Sequence, residues 1–161
     1  MKQLGEQQVR QFLAANGMEK RIHSFTESTE NAYLAAQALA VELGQIVKSV
    51  VLLADKEPVL VLISGDMNVH TKKFKNVLGA RKVRIADAET VLQVTGYPVG
   101  AVPPVAHRET IATYLDKSLK RFSTIYPAAG TTSTMFSTTF DELMKLTQAK
   151  IVDVAQPKKK Q

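Results

Sequence analysis

The sequence predicts a single α/β or α+β domain in which helices cover a central sheet. Two runs, Val47 to Ala54 and Val59 to Ser64, are apolar at nearly every position, the pattern of strands buried on both faces. Segments with helical periodicity and capping residues alternate with strand-like segments, so helices are available to cover that sheet. Size agrees with this. The chain has 161 residues, 45% hydrophobic and 22% charged, and a chain of that length buries roughly 70% of its unfolded surface on folding. One domain is expected over residues 1–156, followed by a disordered basic tail, PKKKQ, at 157–161.

In chain order, Val9, Phe12 and Leu13 recur at helical spacing, and Asn16-Gly17 offers a left-handed stop. Arg21 to Thr26 alternates as a short strand. Ser28-Thr29-Glu30-Asn31 supplies caps for the alanine-rich AYLAAQALA helix, with the cap at Thr29 or Asn31. Asp55-Lys56-Glu57-Pro58 reads as the turn joining the two apolar strands. A helix from Lys72 to Leu78 ends at Gly79, and a strand follows at Val83 to Ile85. Asp87 caps a helix through Val91, Leu92 and Val94, which Gly96 closes. The loop GYPVGAVPPV then places Gly96, Pro98, Gly100, Pro103 and Pro104 within nine positions, a density that fixes backbone shape. Beyond it come a strand at Ile111 to Leu115, a small-residue turn at Ala128-Ala129-Gly130 and a strand at Thr134 to Ser137. A helix over Phe140 to Leu146, capped near Ser137 or Thr138, precedes a last strand at Ile151 to Val154.

Composition closes several routes. With no cysteine there is no disulfide, thiolate metal site or thiol nucleophile, which suits a reducing cytoplasm. No apolar run approaches the roughly 20 residues of a membrane span, and the polar N-terminus lacks the apolar stretch of a signal peptide. The net charge is +6; setting aside Lys158, Lys159 and Lys160 leaves 18 basic against 15 acidic residues, a modest excess compatible with a polyanionic partner such as RNA. His23, His70 and His107 stand far apart in different elements, so no metal site is expected. Nucleophile elbows, Walker loops, dinucleotide fingerprints and zinc-protease helices do not occur.

Three features carry chemistry. Lys48 opens the core strand, where an ammonium is costly unless it reaches water or meets an anion; a surface lysine at a strand end is the alternative. In GYPVGAVPPV, glycines admit a ligand to backbone N–H groups and prolines stiffen the turn, an arrangement suited to an oxyanion or carbonyl; a purely structural connection is the alternative. Ala128-Ala129-Gly130-Thr131 leaves space for a small ligand.

These features come in a recognisable order: IVKS, LISGD, RIADAETVLQVTGYPVGAVPP, YLDKSL and AAGT. Together they resemble the YbaK/ProRS-associated editing domain family from about Ser28 to about Val154. The resemblance implies a mixed, curved central sheet flanked by helices, no cofactor, and hydrolysis in trans of the ester of mischarged aminoacyl-tRNA. It implies that Lys48 contacts the 3′-terminal adenosine or its phosphate, and that backbone amides of Gly100, Ala101 and Val102 hold the aminoacyl group. Ser28, Thr29, Asn31, Pro103, Gly130, Thr131 and Thr132 are implied as substrate-binding, and Asp116 matches a recurrent acidic position of architectural weight. Two positions depart from the family pattern: Ala101 replaces a frequent second glycine, and Asn31 with Leu34 replaces a Thr and an acidic residue at the helix start.

The family resemblance further suggests that a ribose hydroxyl of the substrate activates water, and that the preferred substrate is tRNA-Pro carrying a small residue. Lys72, Lys73, Lys75, Arg81, Lys82 and Arg84 are expected to meet tRNA phosphates, and prolyl-tRNA synthetase is an expected partner. A binding module that holds tRNA or an aminoacyl group without hydrolysing it is the rival expectation.

Overall fold

The computed structural model describes residues 2–158. Helix α1 (Glu6–Ala15) leads to strand β1 (Ile22–Ser24) and helix α2 (Ala32–Leu39). Then come β2 (Ile46–Ala54), β3 (Glu57–Ser64), β4 (Met67–Val69), α3 (Thr71–Leu78), β5 (Val83–Ile85) and α4 (Ala88–Thr95). The second half contains β6 (Ala112–Asp116), β7 (Tyr126–Pro127), β8 (Thr134–Phe136), α5 (Phe140–Thr147), β9 (Lys150–Val152) and β10 (Ala155–Pro157).

The expected mixed sheet is present. Its order is β5-β2-β3-β6-β9, with β7 beside the other end of β2. The β2–β3 and β2–β5 pairs are antiparallel, whereas β3–β6, β6–β9 and β2–β7 are parallel. Side chains alternate between two packed layers. Val47, Val51, Leu60, Leu62 and Leu115 pack with Val9 and Leu13 of α1, Val91 of α4 and Leu143 of α5. Leu52, Val59, Val61 and Ile63 pack on the opposite face with Phe74 of α3. Burial of both faces explains why β2 and β3 are apolar throughout.

One detail of the sheet positions the site. β7 pairs with Ile46 and Val47 at the start of β2, and β5 pairs with Leu52 to Ala54 at its end. Between them no strand pairs with Lys48, Ser49 or Val50 on this edge among the described residues. The sheet is therefore split along β2, and a cavity opens in the gap.

Several boundaries differ from the sequence expectation. The β2–β3 turn is two residues, Asp55 and Lys56, with φ of +48° and +74°; Glu57 and Pro58 already belong to β3. Both turn residues lie in the left-handed region that tight hairpins with right-handed twist require. α3 starts at Thr71, because the His70 ring nitrogen accepts the Lys73 N–H and caps it. Asn31, whose side chain accepts the Leu34 N–H, caps α2. α5 is capped by Thr139 rather than Ser137 or Thr138, because Thr139 and Glu142 exchange side-chain bonds in a capping box.

The expected last strand is two: β9 ends at Val152, and β10 turns away to pair with β4. Pro157, expected at the start of a disordered tail, sits in β10 opposite Met67. Residues 159–161 of that tail lie outside the described residues.

Candidate active site

The cavity at the split edge of β2 has a volume of about 270 Å³. Its walls come from the segment before α2 and its first residue (Thr29 to Ala32), the first half of β2 (Ile46 to Val50), the glycine-proline loop (Val99, Gly100, Val102), and Ala128, Met135 and Lys158. Five of the residues expected at a site, Thr29, Asn31, Lys48, Gly100 and Val102, therefore meet around one space.

Lys48 reaches the cavity because of strand register. It lies opposite Ile63, and at the unpaired edge its stem can run past the sheet toward β4. Its ammonium donates to the Met67 carbonyl and, at 3.0 Å, to Asn68 Oδ1. An ammonium has three donors, so one is left for a ligand. Burial pushes the Lys48 pKa down to about 8, the Lys158 charge pushes it the same way, and Asp66 opposes them. Asp66 is itself gripped at both carboxylate oxygens by Arg121, at 2.7 and 3.0 Å, which holds its carboxyl below the usual range.

The glycine-proline loop is pinned against the segment before α2. Gly100 has φ +90°, and a Cβ there would stand 2.5 Å from the Glu30 carbonyl oxygen. Only glycine fits both constraints. The N–H groups of Gly100 and Val102 have no protein partner among the described residues, and both residues line the cavity.

Other expected site residues stand behind the walls. Ala101 is fully buried in the main core, and its N–H donates to the Pro98 carbonyl at 3.0 Å, so that amide is spent on the turn. The methyl that replaces a frequent glycine therefore packs in the core, away from the cavity. Pro103 is buried, and its carbonyl meets His107 Nε2 at 2.6 Å. Burial lowers the His107 pKa, so the ring is the neutral donor of that bond, and it braces the loop. Ser28 receives the Glu30 N–H in a local turn. Gly130, with φ +98°, packs against Gly5 ahead of α1, where a Cβ would stand 2.8 Å from the Gly5 carbonyl oxygen. Thr132 acts through its carbonyl, which takes both the N–H (2.6 Å) and the hydroxyl (3.1 Å) of Thr29 and so fixes that wall. Thr131 bonds to the Thr134 hydroxyl and the Ser133 N–H.

Asp116, the last residue of β6, is fully buried, and its carboxylate accepts the N–H groups of Ser118 and Val154, each at 2.8 Å. It joins β6 to the chain between β9 and β10, an architectural task.

Ala128, expected to leave space for a small ligand, does line the cavity. Sequence reading missed three wall residues of consequence. Met135 comes from β8, a short strand whose partner, β1, is far along the chain. Lys158 sits beyond the last expected strand. Ser49 follows Lys48, and its hydroxyl is buried without a hydrogen-bond partner among the described residues. The polar residue inside an otherwise apolar run was the available signal for Ser49, since such a hydroxyl needs a partner.

Residues 26–146 match the family described as aminoacyl-tRNA editing domain. The uncharacterized protein YwhH of Bacillus subtilis (strain 168) is 31% identical over 138 residues, covering 84% of this chain and 87% of that protein. A proline–tRNA ligase of Citrifermentans bemidjiense is 37% identical over 98 residues, 61% of this chain and 17% of the ligase. Among solved structures, one described as a "putative trans-editing enzyme for prolyl tRNA synthetase" superposes with a TM-score of 0.86 at 34% identity, over 94% of this chain and 96% of that one.

Proposed function

This chain belongs to the aminoacyl-tRNA editing domain family, and we propose that its cavity hydrolyses the ester of mischarged aminoacyl-tRNA in trans. The observation that carries this reading is the convergence of Lys48 with the unpartnered N–H groups of Gly100 and Val102 on one small cavity. An aminoacyl ester is already activated, so hydrolysis requires a positioned water and donors for the developing oxyanion more than a strong nucleophile. Water adds to the ester carbonyl, negative charge gathers on the carbonyl oxygen facing the Gly100 and Val102 amides, and the C–O bond to the ribose breaks. The ribose oxygen leaves with a proton, releasing free amino acid and intact tRNA. A ribose hydroxyl of the substrate serves to orient the water, the role that the family resemblance implies. Lys48 binds the 3′-terminal nucleotide through its remaining N–H.

Specificity follows from size. The side-chain end is walled by Ile46, Val47, Val102, Ala128 and Met135, and about 270 Å³ is at the lower end of ligand cavities. Exclusion by these walls favours small residues such as alanine. The match to part of a proline–tRNA ligase, and to a structure described as editing for prolyl tRNA synthetase, supports tRNA-Pro as the carrier and that synthetase as a partner. No helix among the described residues is long and apolar enough to cross a membrane. On this reading the protein works in the cytoplasm.

The test is release of amino acid from tRNA-Pro charged with alanine, cysteine or proline. Rapid loss of alanine with proline spared supports the reading. Binding of all three without release would make this a tRNA-binding module instead.

A further inference from the structure

We propose that Lys158 is a second cation of the substrate site, which takes a backbone phosphate of an RNA 3′ end beside Lys48. This rests on the proposed function and adds a contact that the matched region, ending at residue 146, does not contain.

The placement comes from one small ribbon. β10 pairs antiparallel with β4, setting Gln156 opposite Asn68 and Pro157 opposite Met67. Met67 and Asn68 are the residues that hold the Lys48 ammonium. The next residue, Lys158, donates its N–H to the Asp66 carbonyl at 3.3 Å and lines the cavity with Lys48. A single two-stranded element thus anchors one lysine and delivers the other to the same space.

Charge then identifies the ligand class. Neither lysine forms an ion pair among the described residues. Of the nearby carboxylates, Asp66 is held at both oxygens by Arg121, and Glu30, which lines the cavity, forms no ion pair with either lysine among the described residues. Two ammonium groups at one cavity, with neither acid paired to them, repel one another until an anion enters. Burial is the main cause of the depressed Lys48 pKa, and the Lys158 charge adds to it. For a site that receives the end of an RNA chain, the anion is a phosphodiester, bound through point charges without base selectivity.

The experiment uses the full chain and an uncharged RNA oligonucleotide ending in CCA, with binding followed by fluorescence anisotropy between about 50 and about 200 mM salt. Lys158→Ala is expected to weaken binding about five-fold at low salt and to reduce the log–log salt slope by about 0.7, the contribution of one phosphate on a single strand. Lys158→Arg should restore the slope. Lys145→Ala, which removes the same charge from exposed α5, should leave it unchanged. A wild-type slope in Lys158→Ala, or an equal drop in Lys145→Ala, overturns the proposal while leaving deacylation intact. Competition by inorganic phosphate as effective as that by RNA would reassign the pair to a free-phosphate site and overturn the RNA assignment. Absence of RNA binding by the wild type would overturn the proposal, and the deacylation assay then shows whether the functional reading fails with it.

Discussion

Gly100 and Glu30 approach so closely that a Cβ on the glycine would stand 2.5 Å from the glutamate carbonyl oxygen. That contact locks the glycine-proline loop onto the segment before α2 and sets the width of the cavity between them. Gly100→Ala must move one wall or the other, and at φ +90° the new side chain is also strained. The variant is expected to lose about 1 to 3 kcal/mol of stability. Deacylation should fall by at least about 100-fold even where the protein is folded, because a displaced amide no longer meets the oxyanion. Thermal melts and single-turnover assays on the same samples check both.

Lys48 predicts a pH dependence. Burial and the Lys158 charge hold its pKa near 8, so the ammonium is lost as pH rises through that value. Enzyme-dependent deacylation, after subtraction of the spontaneous rate, should therefore decline above about pH 8. Stability follows the opposite course. Between about pH 8 and the ordinary lysine value of 10.5, the native state is deprotonated at Lys48 and the unfolded state is not, so unfolding takes up a proton and stability rises with pH. The melting temperature of wild type relative to Lys48→Met should climb across that window. A flat difference contradicts the assignment.

Ser49 carries a buried hydroxyl at the cavity wall without a hydrogen-bond partner among the described residues. If the substrate is that partner, Ser49→Ala separates folding from function. Removal of an unsatisfied polar group is expected to raise stability by up to about 1 kcal/mol, while kcat/KM falls about ten-fold. Unchanged kcat/KM would show that the hydroxyl never meets the substrate.

Asp116 should behave in the reverse way. Its carboxylate satisfies two backbone N–H groups, one in the turn after β6 and one between β9 and β10. Asp116→Ala leaves both without that acceptor and is expected to cost about 3 kcal/mol or more. Activity per folded molecule should be nearly unchanged, as measured by deacylation at low temperature normalised to the folded fraction.

The parts of the fold that were legible in the sequence are those whose signals are local. β2 and β3 are apolar on both faces, α4 lies between Asp87 and Gly96, and the Asn31 cap begins α2; each is written in a handful of adjacent residues. β4, β7 and β10 are two or three residues long and exist through partners far along the chain, so no periodicity announces them. The same division runs through the site. Lys48 and Gly100 are unusual in their own segments, a cation opening a buried strand and a glycine in a proline-rich loop. Lys158 looks like one more residue of a basic tail until β10 turns back to β4. Ala101, Gly130 and Thr132 were expected at the site because the family resemblance implies them there, yet their contacts face the core, the start of α1 and Thr29.

The most direct test of the central claim is single-turnover release of alanine from alanyl-tRNA-Pro by the wild-type chain and by Lys48→Ala, with tRNA binding measured in parallel. The expected result is rapid release by the wild type and a loss of at least about 100-fold in the variant, which still melts cooperatively. Equal rates for the two proteins, or no release by a wild-type protein that binds the tRNA, would contradict it.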